Sequence, residues 1–429
     1  MPHTYSYIIN QLKGIPMYGY NKVGLNTFPN LMPFFAGLSR KGIRDTCLPS
    51  DNAHYDKCRF IFKDYSEKGF RTAYMMDRSG DGGLFDYHCY GLVHQPTDYY
   101  GETLFIPMES TRHNANKCVG SRSQVEVLLN YTHKYLRAMT RYNENFFAFS
   151  WGVTLSHDGF NDPQQADPLY FNILKDIQEE GILNNTIMLF MSDHGLRFGE
   201  FLRSFQGQLE DHLPALFFVV PNWFRDRYPI AVKNLESNQN RLVTTFDLHA
   251  TLLDLTDLTQ IESKLVHQRQ KNLEDELARK NGISLFLSVP GERTCVDAKI
   301  PEEFCSCEIM EVVDNNMFQV VNAARLMVNH INSNLIGNDS RCELRTFKSI
   351  DKAARAPRLH IGNDSIVKYQ VSFFTEPGDG LFSGLVRHFE NNNTMQVIGE
   401  ISRLNAYGAQ SKCMTAAIML PFCYCKNQP

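Results

Sequence analysis

Thr186-Ile187-Met188-Leu189-Phe190-Met191-Ser192-Asp193-His194-Gly195 is the stretch on which the fold turns. Residues 186–191 are a near-continuous apolar run of strand length. That is the pattern of a strand buried on both faces. The run ends in a carboxylate and an imidazole on neighbouring residues. Two other runs are alike: residues 146–155 lead to Ser156-His157-Asp158, and residues 213–220 end at Pro221. Helical patterns lie around them. Val125, Leu128, Leu129, Tyr135, Leu136 and Met139 recur at helical spacing after the capping-box sequence Ser123-Gln-Val-Glu126. Asp167-Pro168 reads as a helix start, with Ile173, Leu174 and Ile177 on the apolar face and Gly181 at the C-terminal end. Residues 244–255 read as a further helix. Buried strands alternating with amphipathic helices predict an α/β fold: a mostly parallel sheet with helices on both faces. Working residues in such sheets lie beyond the carboxyl ends of the strands. His157, Asp158, Asp193 and His194 all fall there. Asp193 and His194 together suit a divalent metal such as zinc or manganese. Turn chemistry before Gly195 is the plain alternative.

Working outward to the N-terminus, residues 4–12 read as a helix. A glycine-containing loop then leads to Asn26-Thr27-Phe28-Pro29-Asn30 and an apolar helix over 31–38. The Thr27 hydroxyl would sit at a helix N-terminus, where the dipole and free N–H groups favour an alkoxide and an incoming phosphate or sulfate. Simple capping by Asn26 or Thr27 is the alternative. Residues 60–69 read as helix, 71–76 as a strand, and 78–120 as irregular surface. Asp77, after that strand, reads as a turn residue, with approach to the site as the alternative. His94, His212 and His249 read as surface or satisfied core histidines.

Towards the C-terminus, residues 259–281 are dense in Glu, Lys, Arg and Gln and read as a solvated helix or linker. Residues 366–374, 381–389 and 395–404, separated by Pro377-Gly-Asp-Gly and Asn391-Asn-Asn, read as an antiparallel meander. The chain has 11 cysteines, and Cys295-x9-Cys305-x-Cys307 is echoed by Cys413-x9-Cys423-x-Cys425. No Cys-x2-Cys occurs, so disulfide staples fit better than a zinc site, with the connectivity left open. Sequons at Asn130, Asn184, Asn338, Asn363 and Asn392 agree with a secreted or lumenal chain. Met1-Pro2-His3-Thr4-Tyr5 shows no basic start and no apolar stretch. Either the chain is cytosolic or its natural start lies upstream.

At 429 residues, 43% hydrophobic and 21% charged, the composition is that of a folded globular protein and excludes a disordered one. The formal net charge of −4, without a basic cluster, argues against nucleic-acid binding. No apolar stretch approaches the roughly 18 residues of a membrane span.

Several motifs in order carry a resemblance. Asn26-Thr27-Phe-Pro-Asn30 with Gly37 resembles the nucleophile segment of the nucleotide pyrophosphatase/phosphodiesterases. Asn184-Asn-Thr186, Ser192-Asp-His-Gly195, Leu213-Pro214 and Phe246-Asp247-Leu-His-Ala-Thr251-Leu-Leu-Asp254 are similar to the sulfatase core. The whole looks like the alkaline phosphatase-like superfamily. More narrowly it resembles a family of animal, secreted, sulfatase-like proteins labelled a domain of unknown function. That family carries Gly19-Tyr-Asn-Lys-Val-Gly24, Asp193-His-Gly-Leu-Arg-Phe-Gly199, Arg293-Thr-Cys295 and Asn405-Ala-Tyr-Gly-x-Gln-Ser-Lys-Cys413.

The resemblance implies an alkaline phosphatase-like core over residues 1–258, a polar linker over 259–290 and a Cys-rich region over 291–429. It implies Thr27 as nucleophile and metal ligand, Asp193 and His194 as ligands of the same metal, and His157, with Asp158, as a group that handles the leaving oxygen or binds a second metal. The ion would be zinc, manganese or calcium. The substrate would be a phosphate ester, small or linked to a glycan or lipid. Sulfate is the weaker expectation, because threonine cannot become the formylglycine that sulfatases use. Relatives also place a metal-binding Asp at the end of a first strand, and Met1 looks like an internal position after that strand. A non-catalytic binding protein on the same scaffold is therefore the competing expectation, as is a chain from which that Asp is missing.

Overall fold

The structure, a computed structural model, describes residues 1–48, 50, 53–78, 84–85, 91–109, 117–197, 199–337, 339–361, 364–414 and 419–426. The sequons at Asn338 and Asn363, the cysteine Cys89 and parts of the 78–120 stretch lie outside the described residues. The chain divides into two compact units, Met1–His194 with Leu213–Arg293, and Gly195–His212 with Thr294–Pro429.

In the first unit α1 (Pro2–Asn10), β1 (Ile15–Pro16), α2 (Thr27–Ala36), β2 (Arg71–Met76), β3 (Tyr99–Tyr100) and α3 (Gln124–Arg141) come first. β4 (Phe146–Trp151), α4 (Asp162–Glu179), β5 (Met188–Met191), β6 (Leu216–Val219) and α5 (Thr245–Leu255) follow. β2 pairs in parallel with β3 and β4, Arg71 opposite Phe146 and Met76 opposite Trp151. A second sheet has the order β1-β6-β5. The expected parallel sheet is thus only partly realised, since β6 runs antiparallel to both of its neighbours. An apolar run specifies burial but not direction.

The start of α4 also differs from the expectation. The helix opens at Asp162-Pro163, and Pro168 lies inside it. Asp167 serves another helix. Its carboxylate accepts the Thr4 amide at 2.8 Å, the Thr4 hydroxyl at 2.6 Å and the His3 amide at 3.0 Å, tying down the first turn of α1.

α2 is fastened by an aromatic core. Phe35 packs its ring 4.8 Å from Phe149 and 5.1 Å from Phe62, and Tyr74 stacks on Phe149 at 5.6 Å. Leu31, Met32 and Phe34 of the same helix are also buried. Burying each such side chain contributes about 1.5–3 kcal/mol. α2 is therefore a rigid mount for whatever its N-terminus carries.

Residues 259–290 carry two helices, Ser263–Gln270 and Leu273–Lys280, and belong to the first unit. Ile283, Leu285, Phe286 and Leu287 are almost wholly buried. The charged surface of this segment and its flank hides two internal ion pairs. Arg269 meets Asp254 at 2.9 Å, and just beyond the segment Arg293 meets Asp247 at 2.8 Å. Charge density alone does not distinguish a solvated face from one with buried partners.

In the second unit α6 (Phe318–His330), β7 (Thr346–Arg355), β8 (Asp364–Glu376), β9 (Gly380–Phe389) and β10 (Thr394–Arg403) build an antiparallel meander. The sheet is completed by Glu311–Val312 beside β7 and Leu359–Ile361 beside β8. The expected C-terminal antiparallel layer is present, with β7 added. Val320, Ala323, Ala324 and Met327 of α6 pack on Val371, Phe373 and Phe382. Gly195–His212 belongs to this unit: Gly199 donates to the Leu404 carbonyl at 3.1 Å, and Arg203 pairs with Asp351. The motif over 405–413 acts around Arg403. Asn405 and Gln410 accept from the guanidinium at 2.7 and 2.9 Å, while the group lies 5.8 Å over Tyr407.

Among the described residues four disulfides join Cys47–Cys58, Cys295–Cys305, Cys342–Cys423 and Cys413–Cys425. Such bonds fit an oxidising compartment. No helix among the described residues is long and apolar enough to cross a membrane.

Candidate active site

The sheet β1-β6-β5 brings two chain exits to one end. Both β1 and β5 are antiparallel to β6, so they are parallel to each other. Ile15 and Leu189 share Phe218 as partner, and Pro16 and Phe190 share Phe217. One step further, Met17 donates to Leu216 at 2.9 Å and Ser192 donates to Ala215 at 2.8 Å. The segment leading to Thr27 and the segment carrying Asp193-His194 therefore leave the sheet at the same end. This is the register on which the site depends.

Asp193 and His194 are both nearly buried, and Nε2 of His194 lies 3.4 Å from Oδ2 of Asp193. Oδ2 has no hydrogen-bond partner. Ser192 holds the turn by donating to the His194 carbonyl at 2.7 Å. Tyr20 reaches this place from β1. It is fully buried, bridges to Val243 in parallel, and its phenolic oxygen has no hydrogen-bond partner. Burial and then the Asp193 carboxylate push the Tyr20 phenol well above its ordinary range. Thr245, two residues beyond the bridge, has a buried hydroxyl that also lacks a hydrogen-bond partner.

Thr27 is the first residue of α2. Asn26, the N-cap residue, is extended and makes no side-chain capping bond, so the simple capping reading of Asn26 does not hold. What shapes the approach is Asn30. Its Oδ1 accepts the amides of Val23 at 2.7 Å and Gly24 at 3.0 Å, and its Nδ2 donates to the carbonyls of Gly24 and Asn26, both at 2.9 Å. One buried amide thus closes the loop that delivers Thr27. The far end of α2 is fixed too. His249 bonds the Phe34 carbonyl at 2.9 Å, as expected of a satisfied core histidine. Gly37 is left-handed there, and a Cβ on it would meet the His249 ring at 2.6 Å.

His157 and Asp158 leave from the end of β4. Their side chains pair at 2.7 Å, and Asp158 lies 3.5 Å from Arg78 and 4.0 Å from Lys117. Burial raises the Asp158 carboxyl, but the His157 hydrogen bond and the two cations outweigh it and hold it low. Among the described residues Asp158 does not join Asp193 and His194 in a cluster of metal-ligating side chains. Asp77 does more than turn the chain: its buried carboxylate accepts the amides of Val153 at 2.6 Å and Thr154 at 3.2 Å, which sets the loop running to His157.

Tyr20, beside Asp193, and Asn30, which closes the loop before Thr27, escaped the sequence reading. Tyr20 and Asn30 were visible only as letters of motifs, Gly19-Tyr-Asn-Lys-Val-Gly24 and Thr27-Phe-Pro-Asn30.

A hydroxyl, a carboxylate with an unbonded buried oxygen and an imidazole are a donor set suited to a borderline divalent ion. Asp193 and His194 are the part of that set the structure shows side by side.

The family described as "Protein of unknown function (DUF229)" matches residues 1–351. The chain belongs to that family. The sequence resemblance to a domain-of-unknown-function family is thereby shown. No curated protein matches this DUF229 chain. Three solved structures are similar to it at low identity. The lipoteichoic acid synthase LtaP from Listeria monocytogenes is 13% identical over 50% of this chain and 60% of its own, with a TM-score of 0.35. Ps i-CgsB is 11% identical over 64% and 67%, with a TM-score of 0.40. The C-terminal periplasmic domain of EcEptC from Escherichia coli is 10% identical over 59% and 74%, with a TM-score of 0.39. The DUF229 chain thus spans about three-fifths of the length of the Listeria synthase chain.

Proposed function

We propose that this DUF229 chain is a metal-dependent hydrolase or transferase of phosphate esters, with Thr27 as nucleophile. The reading places it in the alkaline phosphatase-like superfamily and in the extracellular space or secretory lumen. One observation carries it: Thr27, on an N-terminus without a side-chain cap, and a buried Asp193–His194 pair with an unbonded carboxylate oxygen leave one sheet at the same end.

Asp193 and His194 would hold the cation, with Thr27 Oγ1 as a further ligand. When bound, the cation supplies Lewis-acid stabilisation of charge on the phosphoryl oxygens. The chain's own residues do the rest. Asn30 fixes the loop so that Thr27 Oγ1 faces the phosphorus in line. The start of α2 offers its dipole to the nonbridging oxygens. Thr27 loses its hydroxyl proton to solvent and bonds to phosphorus as the ester oxygen leaves. His157, oriented by Asp158, protonates that leaving oxygen. Water, or an acceptor alcohol in the transferase case, then releases phosphate from Thr27. Threonine favours phosphate over sulfate, because the formylglycine route is closed to it.

A second reading rests on a specific observation. Among the described residues no third His, Cys, Asp or Glu joins Asp193 and His194 in a ligand cluster. That favours a non-catalytic binding protein on the same scaffold, since affinity rests on ligand count. Metal content and the hydrolysis of phosphomonoesters and phosphodiesters decide between them. The first reading requires bound divalent metal and turnover in the wild type, with both reduced at least tenfold in Asp193→Ala. Metal-free, inactive wild type, or equal turnover in the two proteins, removes it.

A further inference from the structure

The sulfurs of Cys295, Cys305 and Cys307 all lie within 4.8 Å of one another. Cys295 and Cys305 are bonded, and Cys307 is an exposed free thiol. The second copy of this cysteine pattern closes differently. There Cys413 bonds to Cys425, the last cysteine of the pattern, and Cys423 is taken by Cys342. The unbonded neighbour still lies close, with Cys413 Sγ 3.8 Å from Cys423 Sγ. The leading cysteine of the pattern therefore has both members of its Cys-x-Cys pair within reach in each copy. The two copies have made opposite choices.

The segment around the first copy is strapped on both sides of the Cys-x-Cys pair. Glu302 pairs with Arg387, Glu303 accepts the Glu400 amide at 3.1 Å, and Glu308 pairs with Lys368. These anchors keep Cys305 and Cys307 in place while only sulfur bonds change.

We propose that Cys307 is an exchanging thiol that moves the Cys295 linkage between Cys305 and Cys307. The Cys307 thiolate, its proton lost to solvent, attacks Cys295 Sγ. A Cys295–Cys307 bond forms, the Cys295–Cys305 bond breaks, and Cys305 leaves as a thiolate that takes up a proton. One disulfide and one thiol remain, so no oxidant or reductant is needed. The free thiol has moved from exposed Cys307 to half-buried Cys305. The exchange thus presents or withdraws a surface thiol.

The test uses the full chain, incubated at mildly alkaline pH, acid-quenched, alkylated with N-ethylmaleimide and mapped without reduction. The expected map contains both Cys295–Cys305 and Cys295–Cys307 peptides, with the label on Cys307 in the first form and on Cys305 in the second. Cys305→Ser should carry a Cys295–Cys307 bond, and Cys307→Ser only Cys295–Cys305. The inference is overturned if the wild type shows Cys295–Cys305 alone and no label on Cys305. It is also overturned if Cys305→Ser leaves Cys295 and Cys307 both alkylated, or if Cys307 is consumed in a bond between two chains. Should Cys305→Ser fail to fold, the wild-type map alone decides.

Discussion

Nε2 of His194 stands 3.4 Å from Oδ2 of Asp193, and that oxygen is buried without a hydrogen bond. A buried carboxylate oxygen left without a donor costs free energy, and a cation is what would recover it. Asp193→Asn removes the charge. In chelator the variant should melt at the same temperature as the wild type or higher. Zinc or manganese should then raise the melting temperature of the wild type and leave Asp193→Asn unmoved, because ligand stabilises only the state that binds it. Equal shifts in both proteins would place the metal elsewhere.

Asn30 makes four hydrogen bonds that close the loop before Thr27. Asn30→Ala leaves the Val23 and Gly24 amides without their acceptor. At about 1 kcal/mol per bond, and more for a stranded buried group, the expected loss is about 2–4 kcal/mol in urea unfolding. Phosphate-ester turnover should fall further than stability explains, measured where the variant is still fully folded.

Arg293 and Asp247 form a two-pronged buried ion pair, at 2.8 and 3.1 Å. Asp247 also accepts the amides of Thr244 and Ile283, both at 2.8 Å. Asp247→Ala leaves a buried guanidinium without its counter-charge and removes the reciprocal cap of α5. Breaking such a pair costs about 3–5 kcal/mol. Thermal unfolding should show a loss of that order, whereas Arg227→Ala, an exposed partner of Glu262, should cost under about 1 kcal/mol.

Asp167 supplies a pH dependence. Burial raises its carboxyl, but the bonds from Thr4 and His3 outweigh this and hold it at about 2. The folded value is depressed, so its stabilisation is complete above the unfolded value near 3.8 and is lost as pH falls through about 2. Asp167→Asn should therefore flatten the acid side of the stability profile between those two values. An unchanged profile would show that the carboxylate does not hold α1 in solution.

The readable parts of the fold were those with strong local patterning. The helix after Ser123, the strand before Asp77 and the three C-terminal strands all lie where period and turn residues put them. Ser123 accepts the Glu126 amide at 3.1 Å, the bond its capping sequence predicts. Direction and partnership were not readable. Nothing in residues 213–220 tells that β6 runs against β5, since both faces are simply apolar. Asp167-Pro168 and Asp162-Pro163 are equal helix-start signals, and only the amides of His3 and Thr4 explain why the second Asp is used elsewhere. The echoing cysteines gave no warning that the two copies would pair differently. Of the proposed site, Thr27, Asp193 and His194 could be named from the sequence because each sits at an element end. Tyr20 and Asn30 work through long-range contact or loop closure, which leaves no periodic trace.

The proposed chemistry requires Thr27, Asp193 and His194 to converge on one cation. The most direct measurement of this is the anomalous scattering of zinc in crystals of the full chain. The account predicts a single peak with Thr27 Oγ1, an Asp193 carboxylate oxygen and a His194 nitrogen as ligands, at about 2.0–2.2 Å. A peak bound by other residues, or one with Thr27 Oγ1 beyond bonding distance, would contradict it.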